Sequence, residues 1–217
     1  MSNLQLRIIS ALVMLPFVIG AVFMGGFPFL VFTAIIFILA VYEWARLSLK
    51  TQNKIGFLVF GMIYLPLCFY EFYNLRTGFS DGLYLVISML LIIWSADIGA
   101  YFVGRKFGKH KMAPTISPNK SWEGLAGAMF FSALMMIVLM MYVFTSDAGP
   151  GFLMLAITGA ILGYIGQAGD LLESFLKRKA GEKDSSKLIP GHGGVLDRVD
   201  SILLVSPVFV FIAEYVL

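Results

Sequence analysis

Charge is what this sequence has least of. Asp, Glu, Lys and Arg make up 13% of its 217 residues and apolar residues 59%, where a soluble domain carries about a quarter charged side chains. That excludes an ordinary soluble domain and points to an integral membrane protein. Cysteine is nearly absent: Cys68 stands alone inside an apolar run, which excludes an intrachain disulfide and reads as a small core residue. No small-residue cleavage site follows Arg7 and the first apolar run, so that run reads as a retained span rather than a signal peptide. Barrel-type alternation, internal repeats, low-complexity tracts and a separable soluble domain are also missing. The net charge of +3 comes from basic residues in short segments between apolar runs, which set topology and form no extended duplex-binding face. No nucleic-acid partner is implied.

What is present are seven apolar stretches long enough to cross about 30 Å of hydrocarbon. They are Ile8–Met24, Phe27–Ala45, Ile55–Phe72, Leu83–Val103, Gly124–Phe144, Phe152–Leu172 and Ser201–Leu217. The expected fold is all-α: a polytopic membrane bundle of about seven transmembrane helices with two basic loops. Arg7, the link holding Arg46, Lys50 and Lys54, the link 105–120 and the link 177–198 occupy every second connection, and only Arg76 falls on the other side. By the positive-inside rule both charged loops face the cytoplasm.

Carboxylates inside such runs are costly, about 2.5–3.5 kcal/mol at a helix centre on insertion scales. Asp97 lies eight residues before Arg105, and Asp170 seven before Lys177, so two acids on two spans descend from the same side. Each is either a functional acid or a buried carboxylate held by a Lys, Ser or backbone partner. Gly163, Gly166 and Gly169 give span six a flat ridge for a close neighbour. Glu43, three residues from Arg46 at a span end, reads as an interfacial residue or a helix-face ion pair.

The link after span four carries Arg105, Lys106, Lys109, Lys111 and Lys120 with no acid before Glu123. Anionic headgroups, nucleotide phosphates or topology alone would each account for it. Ser117, Lys120 and Ser121 offer donors just before a helix N-terminus, an anion site; Ser121 could equally be a plain helix cap with Glu123 in the first turn.

Ser174 to Asp200 is the polar centre, with ten charged side chains around a Pro-Gly-His-Gly-Gly turn. Lys177, Arg178, Lys179, Lys183, Lys187 and Arg198 converge on Gly191, Gly193 and Gly194, which let backbone approach a phosphate unobstructed. His192 between them is a phosphate donor or a structural hydrogen-bonder. Asp197 and Asp200 lie one helical turn apart at the start of span seven. With Asp170 they suit a Mg²⁺–polyphosphate site, the alternative being helix N-terminal capping.

From Ser174 to Asp200 the pattern S-x-L-K-R-x4-K-D-x-S-x2-I-P-x-H-G-G-V-x-D-R-V-D resembles the CDP-diacylglycerol synthases, or phosphatidate cytidylyltransferases. Ser117-Pro-Asn-Lys-Ser-Trp-Glu-Gly124 resembles the same family's S-P-x-K-[TS]-x-E-G element, and Asp97-x-x-Ala-Tyr-x-x-Gly104-Arg its preceding span end, so the resemblance covers about half the chain. Departures are Ala128 where a second glycine is usual, Ser186 where glycine is commoner, and a shorter N-terminal half. The resemblance implies transfer of the cytidylyl group of CTP to phosphatidic acid or a related lipid phosphate in the bilayer, giving CDP-diacylglycerol and pyrophosphate. It implies a multi-pass, often homodimeric enzyme of the bacterial inner membrane, its active site facing the cytoplasm. Residues 1–82 would be scaffold helices with dimer contacts, and 83–217 the cytidylyltransferase membrane domain. Asp170, Asp197 and Asp200 would hold Mg²⁺, with a monovalent cation such as K⁺. Ser117, Lys120, Ser121, Lys177, Arg178, Lys187, His192, Gly193, Gly194 and Arg198 would clamp phosphates, with Asp170, Asp197, Lys120 and Arg198 closest to the chemistry. A CTP-dependent lipid kinase, a CDP-archaeol-type synthase acting on prenyl-ether lipid, and an ion-coupled transporter using Asp97 and Asp170 stay open as alternatives. The double Asp-rich pattern of CDP-alcohol phosphotransferases is missing.

Overall fold

The computed structural model describes residues 3–143 and 151–216, without the side chains of 3–9, 11, 142 and 143. The Arg7 side chain, Phe144 and Leu217 therefore lie outside the described residues. Seven helices run along it: α1 (Asn3–Met24), α2 (Gly26–Lys50), α3 (Lys54–Thr77), α4 (Gly82–Phe107), α5 (Trp122–Val143), α6 (Phe152–Lys179) and α7 (Leu196–Tyr215). Between α4 and α5, where sequence suggested only a basic loop, strands β1 (Lys111–Ala113) and β2 (Ser117–Ser121) pair antiparallel, Lys111 opposite Ser121 and Ala113 opposite Ser117.

Hydrocarbon offers no hydrogen-bond partner, so an apolar run crossing it must satisfy its backbone internally, and a helix does so. The helices α2 to α6 are long and apolar enough to cross a membrane, while α1 contributes a shorter apolar stretch, Leu12–Met24. α7 opens on Asp197, Arg198 and Asp200 and carries Pro207. The seven expected runs are thus seven helices, of which five reach spanning length and apolarity among the described residues. Large apolar side chains stay bare in the isolated chain: Phe27, Ile55 and Met62 are each at least 75% exposed. Such surface suits lipid and not water. This is a membrane protein.

The chain divides into two compact units, residues 1–83 with 172–200, and residues 84–171 with 201–217. In the first, the end of α6, the connecting segment and the first turn of α7 belong with α1 to α3. Its core includes Phe29, Leu47, Leu65, Leu75, Leu176 and Leu196, all under 2% exposed. Asn53 caps α3 by accepting from the Gly56 amide at 3.2 Å. Arg76, the one basic residue on its side, donates from Nε to Val22 O at 2.7 Å and from Nη2 to Phe23 O at 3.3 Å, satisfying carbonyls at the end of α1. The Trp44 indole N–H donates to Phe57 O at 2.8 Å and ties α2 to α3.

The second unit is held by small residues. A Cβ on Gly99 of α4 would meet Gly127 O at 2.6 Å, and one on Gly127 of α5 would meet Gly99 O at 2.7 Å, so these backbones touch. The glycine ridge foreseen on α6 serves two neighbours: Gly163 lies against Ser132 and Ala128 of α5, and Gly166 beside Ser201 and Val205 of α7. The hairpin is closed onto α5 by His110. Its carbonyl accepts from Trp122 N at 3.0 Å, and its ring Nδ1 lies 2.6 Å from Glu123 Oε1.

Candidate active site

In the second unit, β2 delivers Lys120 to α6. Its Nζ lies 2.7 Å from Asp170 Oδ2 and donates to Gln167 O at 3.1 Å. One turn earlier on α6 than Asp170, Gln167 Nε2 donates to Asp97 Oδ1 at 3.0 Å. Two acids and a lysine that sequence placed on three separate segments thus meet through one glutamine that sequence gave no reason to single out. Ser121 is engaged as the cap of α5, its hydroxyl accepting from Gly124 N at 3.1 Å. Ser117 stands at the start of β2, paired with Ala113.

The first unit gathers the remaining assigned residues. Lys177 is buried and its Nζ donates to Asp197 Oδ1 at 2.6 Å, with Glu173 Oε2 3.3 Å away. Asp197 Oδ2 accepts from Gly194 N at 2.8 Å and from Ser185 N at 2.9 Å, and lies 2.8 Å from Ser185 Oγ. Burial alone would push the Asp197 carboxyl up. Hydrogen bonds from the Lys177 ammonium and from the Gly194 and Ser185 amides outweigh that and hold it below the usual aspartate range. Glu173 is 3% exposed. Asp197 and Asp200 stand around it. Glu173 and Asp197 therefore share one ammonium.

Between Glu173 and Asp200 in sequence, residues line an open cavity of about 630 Å³: Lys183, Asp184, Ser186, Lys187, Ile189, Pro190, Gly191, His192, Gly193 and Arg198. Gly191 and Gly193 have φ of +77° and +82°, left-handed backbone that side chains resist, and an Ile189 N to Gly193 O bond of 2.8 Å closes the turn. His192 lines the cavity with Nδ1 2.6 Å from Ser10 Oγ of α1. Arg178 is exposed and donates to Glu182 O at 3.1 Å.

Glu43 differs from its sequence reading. It is fully buried, and its contacts are hydrogen bonds rather than a helix-face ion pair. Its oxygens take Ser186 Oγ at 2.5 Å, Ser185 Oγ at 2.9 Å, Val195 N at 3.0 Å and Leu196 N at 2.8 Å. The available signal was a carboxylate inside an apolar run; its partners lie more than 140 residues away.

Among the described residues no three His, Cys, Asp or Glu side chains form a ready-made metal site. Asp170 and Asp197 instead carry ammonium groups. A carboxylate that draws in a cation is a place for a cation, and hard carboxylate oxygen suits Mg²⁺. Each carboxylate taken singly is an oxygen donor of the kind Mg²⁺ takes, once its lysine is exchanged off it.

The model of the Cytidylyltransferase family matches this chain over residues 5–73 and 48–216. The chain belongs to the cytidylyltransferase family. Similar curated proteins include the phosphatidate cytidylyltransferase of Bacillus subtilis, 39% identical over 162 residues, 75% of this chain and 59% of that protein. That of Staphylococcus haemolyticus is 40% identical over 174 residues, 80% of this chain and 65% of the relative. The phosphatidate cytidylyltransferase of Pseudomonas aeruginosa is 35% identical over 262 aligned positions, covering 95% of each chain. In the first two comparisons the chain spans about 60% of the relative's length. The two matched ranges overlap at residues 48–73.

Proposed function

We propose that this protein transfers the cytidylyl group of CTP to phosphatidic acid, releasing pyrophosphate and leaving CDP-diacylglycerol in the bilayer. One observation carries the reading: in a member of the cytidylyltransferase family, Lys183, Lys187, His192 and Arg198 line one cavity with a left-handed glycine turn. A triphosphate needs such a cationic cleft. The names of the relatives favour this reaction over a lipid kinase, a prenyl-ether synthase or a transporter.

The chemistry needs no general base. A phosphate monoester has a second pKa of about 6, so the lipid phosphate is already largely a dianion near neutral pH. The obstacle is repulsion between reactants, about 4 kcal/mol per pair of unit charges at 4 Å and an effective dielectric near 20. Lys187, His192 and Arg198 would offset that charge on the triphosphate, and Lys120, Lys177 and Arg178 would add to it as the acids exchange their partners. Ser117, Ser121, Gly193 and Gly194 would shape the walls. Mg²⁺, with a monovalent cation such as K⁺, would be held by Asp170, Asp197 and Asp200 and would neutralise phosphate charge when bound. The remaining work is holding nucleophile, α-phosphorus and leaving group in line.

The same reading places the protein in the inner membrane with both basic links in the cytoplasm, where CTP arrives from water while the lipid keeps its tails in the bilayer. It makes the working form a homodimer, to be checked by light scattering in detergent. The deciding experiment incubates purified protein with phosphatidic acid, Mg²⁺ and CTP labelled at the α-phosphate. Labelled CDP-lipid with unlabelled pyrophosphate is expected. Labelled CDP with a newly phosphorylated lipid would assign a kinase and sink the proposal.

A further inference from the structure

We propose that Glu43 is the positioning residue of the cavity: a buried carboxylate on α2 that ties both ends of segment 185–196, so that Lys187, His192 and Arg198 are presented together. This rests on the CTP reading above. Glu43 is 0% exposed, and a carboxylate withdrawn from water persists only if its lone pairs are satisfied. Here the satisfaction comes from one place. Oε1 takes Ser186 Oγ and Val195 N, and Oε2 takes Ser185 Oγ and Leu196 N. Ser185 and Ser186 open the segment; Val195 and Leu196 end it at the first turn of α7. One side chain from a distant helix closes the loop.

Two consequences follow from the same contacts. The Leu196 amide begins α7, and helix N-terminal amides are a ready anion site. Glu43 already fills it, and Asp197 takes Gly194 N and Ser185 N. The Val195 and Leu196 amides that open α7 are therefore engaged by Glu43, and recognition of an added phosphate is assigned to the side chains lining the cavity. Ser185 has a single hydroxyl hydrogen for two acceptors, Glu43 Oε2 at 2.9 Å and Asp197 Oδ2 at 2.8 Å. It serves one at a time, which links the pin to the acid that carries Lys177. A Cβ on Gly194 would lie 2.5 Å from both Glu43 oxygens, so the third glycine of the turn makes room for the pin. Ser186, which replaces a commoner glycine, adds a donor to it.

Glu43→Gln keeps the size of the side chain but leaves one oxygen. Its NH₂ can donate to a serine hydroxyl, yet it faces the Val195 or Leu196 N–H with another donor. The test uses the full-length protein in detergent at saturating phosphatidic acid. E43Q is expected to raise the KM for CTP about tenfold, with kcat and the KM for lipid within threefold. Amide hydrogen exchange should quicken at least tenfold over 185–196 while α3 and α5 keep wild-type protection. S186G, which removes one donor to Glu43 and the local acceptor of Leu188 N but keeps the Val195 and Leu196 ties, should move the KM for CTP two- to threefold. Wild-type KM and exchange in E43Q overturn the proposal. So does faster exchange throughout with kcat falling and KM unchanged, which is a role in general stability. If the wild-type protein makes no CDP-lipid, the functional reading falls and the proposal with it; an active wild type with an indifferent E43Q removes the proposal alone.

Discussion

Asp197 shows how one residue can hold a charge and a loop together. Its side chain is 7% exposed, with the Lys177 ammonium on one oxygen and donors from Ser185 and Gly194 on the other. Because its folded pKa lies below the unfolded aspartate value of about 3.9, its contribution is complete above that value and is lost as pH falls through the folded one. Segment 185–196 is thus expected to keep its exchange protection down to about pH 4 and lose it below. Asp197→Asn should flatten that acid limb. It should also cost about 3 kcal/mol at neutral pH, the low end for breaking a buried pair, because Glu173 remains beside Lys177. Denaturation in detergent at pH 7 and pH 4 reads both; an unaltered acid limb in the variant would remove Asp197 from this role.

At the scale of elements, the α4–α5 pair is set by backbone contact. Gly127→Ala would bring a methyl to 2.7 Å from both Gly99 O and the Val103 Cβ, closer than real side chains approach. Separating the helices should cost about 1–3 kcal/mol. The expected result is a lower unfolding temperature in detergent, with a smaller effect for Gly166→Ala, where the nearest atom is 3.7 Å away. Equal effects would mean that helix propensity and not contact decides. The hairpin has a similar local cause. Ser121 caps α5, and His110 and Glu123 close its base, so Lys120 is held one residue before the cap, at Asp170.

For the whole molecule, the basic links predict sidedness. Cys68 is buried at 1% exposure and should be silent to impermeant thiol reagents, so single cysteines can be introduced over it. Thr115→Cys at the hairpin and Lys183→Cys in the segment should label from one face only, and Asp81→Cys in the α3–α4 link from the other. Labelling of all three from one side of sealed vesicles would overturn the orientation.

Sequence alone determined the membrane, the helices and the position of the polar centre, because apolar run length and charge placement are local properties with large energetic consequences. It also marked Asp97, Asp170 and Asp197, since a carboxylate near hydrocarbon needs a partner. Only the tertiary structure decided which partner: Gln167 for Asp97, Lys120 for Asp170, and Lys177 with Ser185 and Gly194 for Asp197. It likewise gave Glu43, read as an interfacial residue or a helix-face ion pair, its partners in a distant segment. Hydrogen-bond partners are chosen by positions in space that chain separation does not encode, so periodicity and composition find the costly group but not what satisfies it.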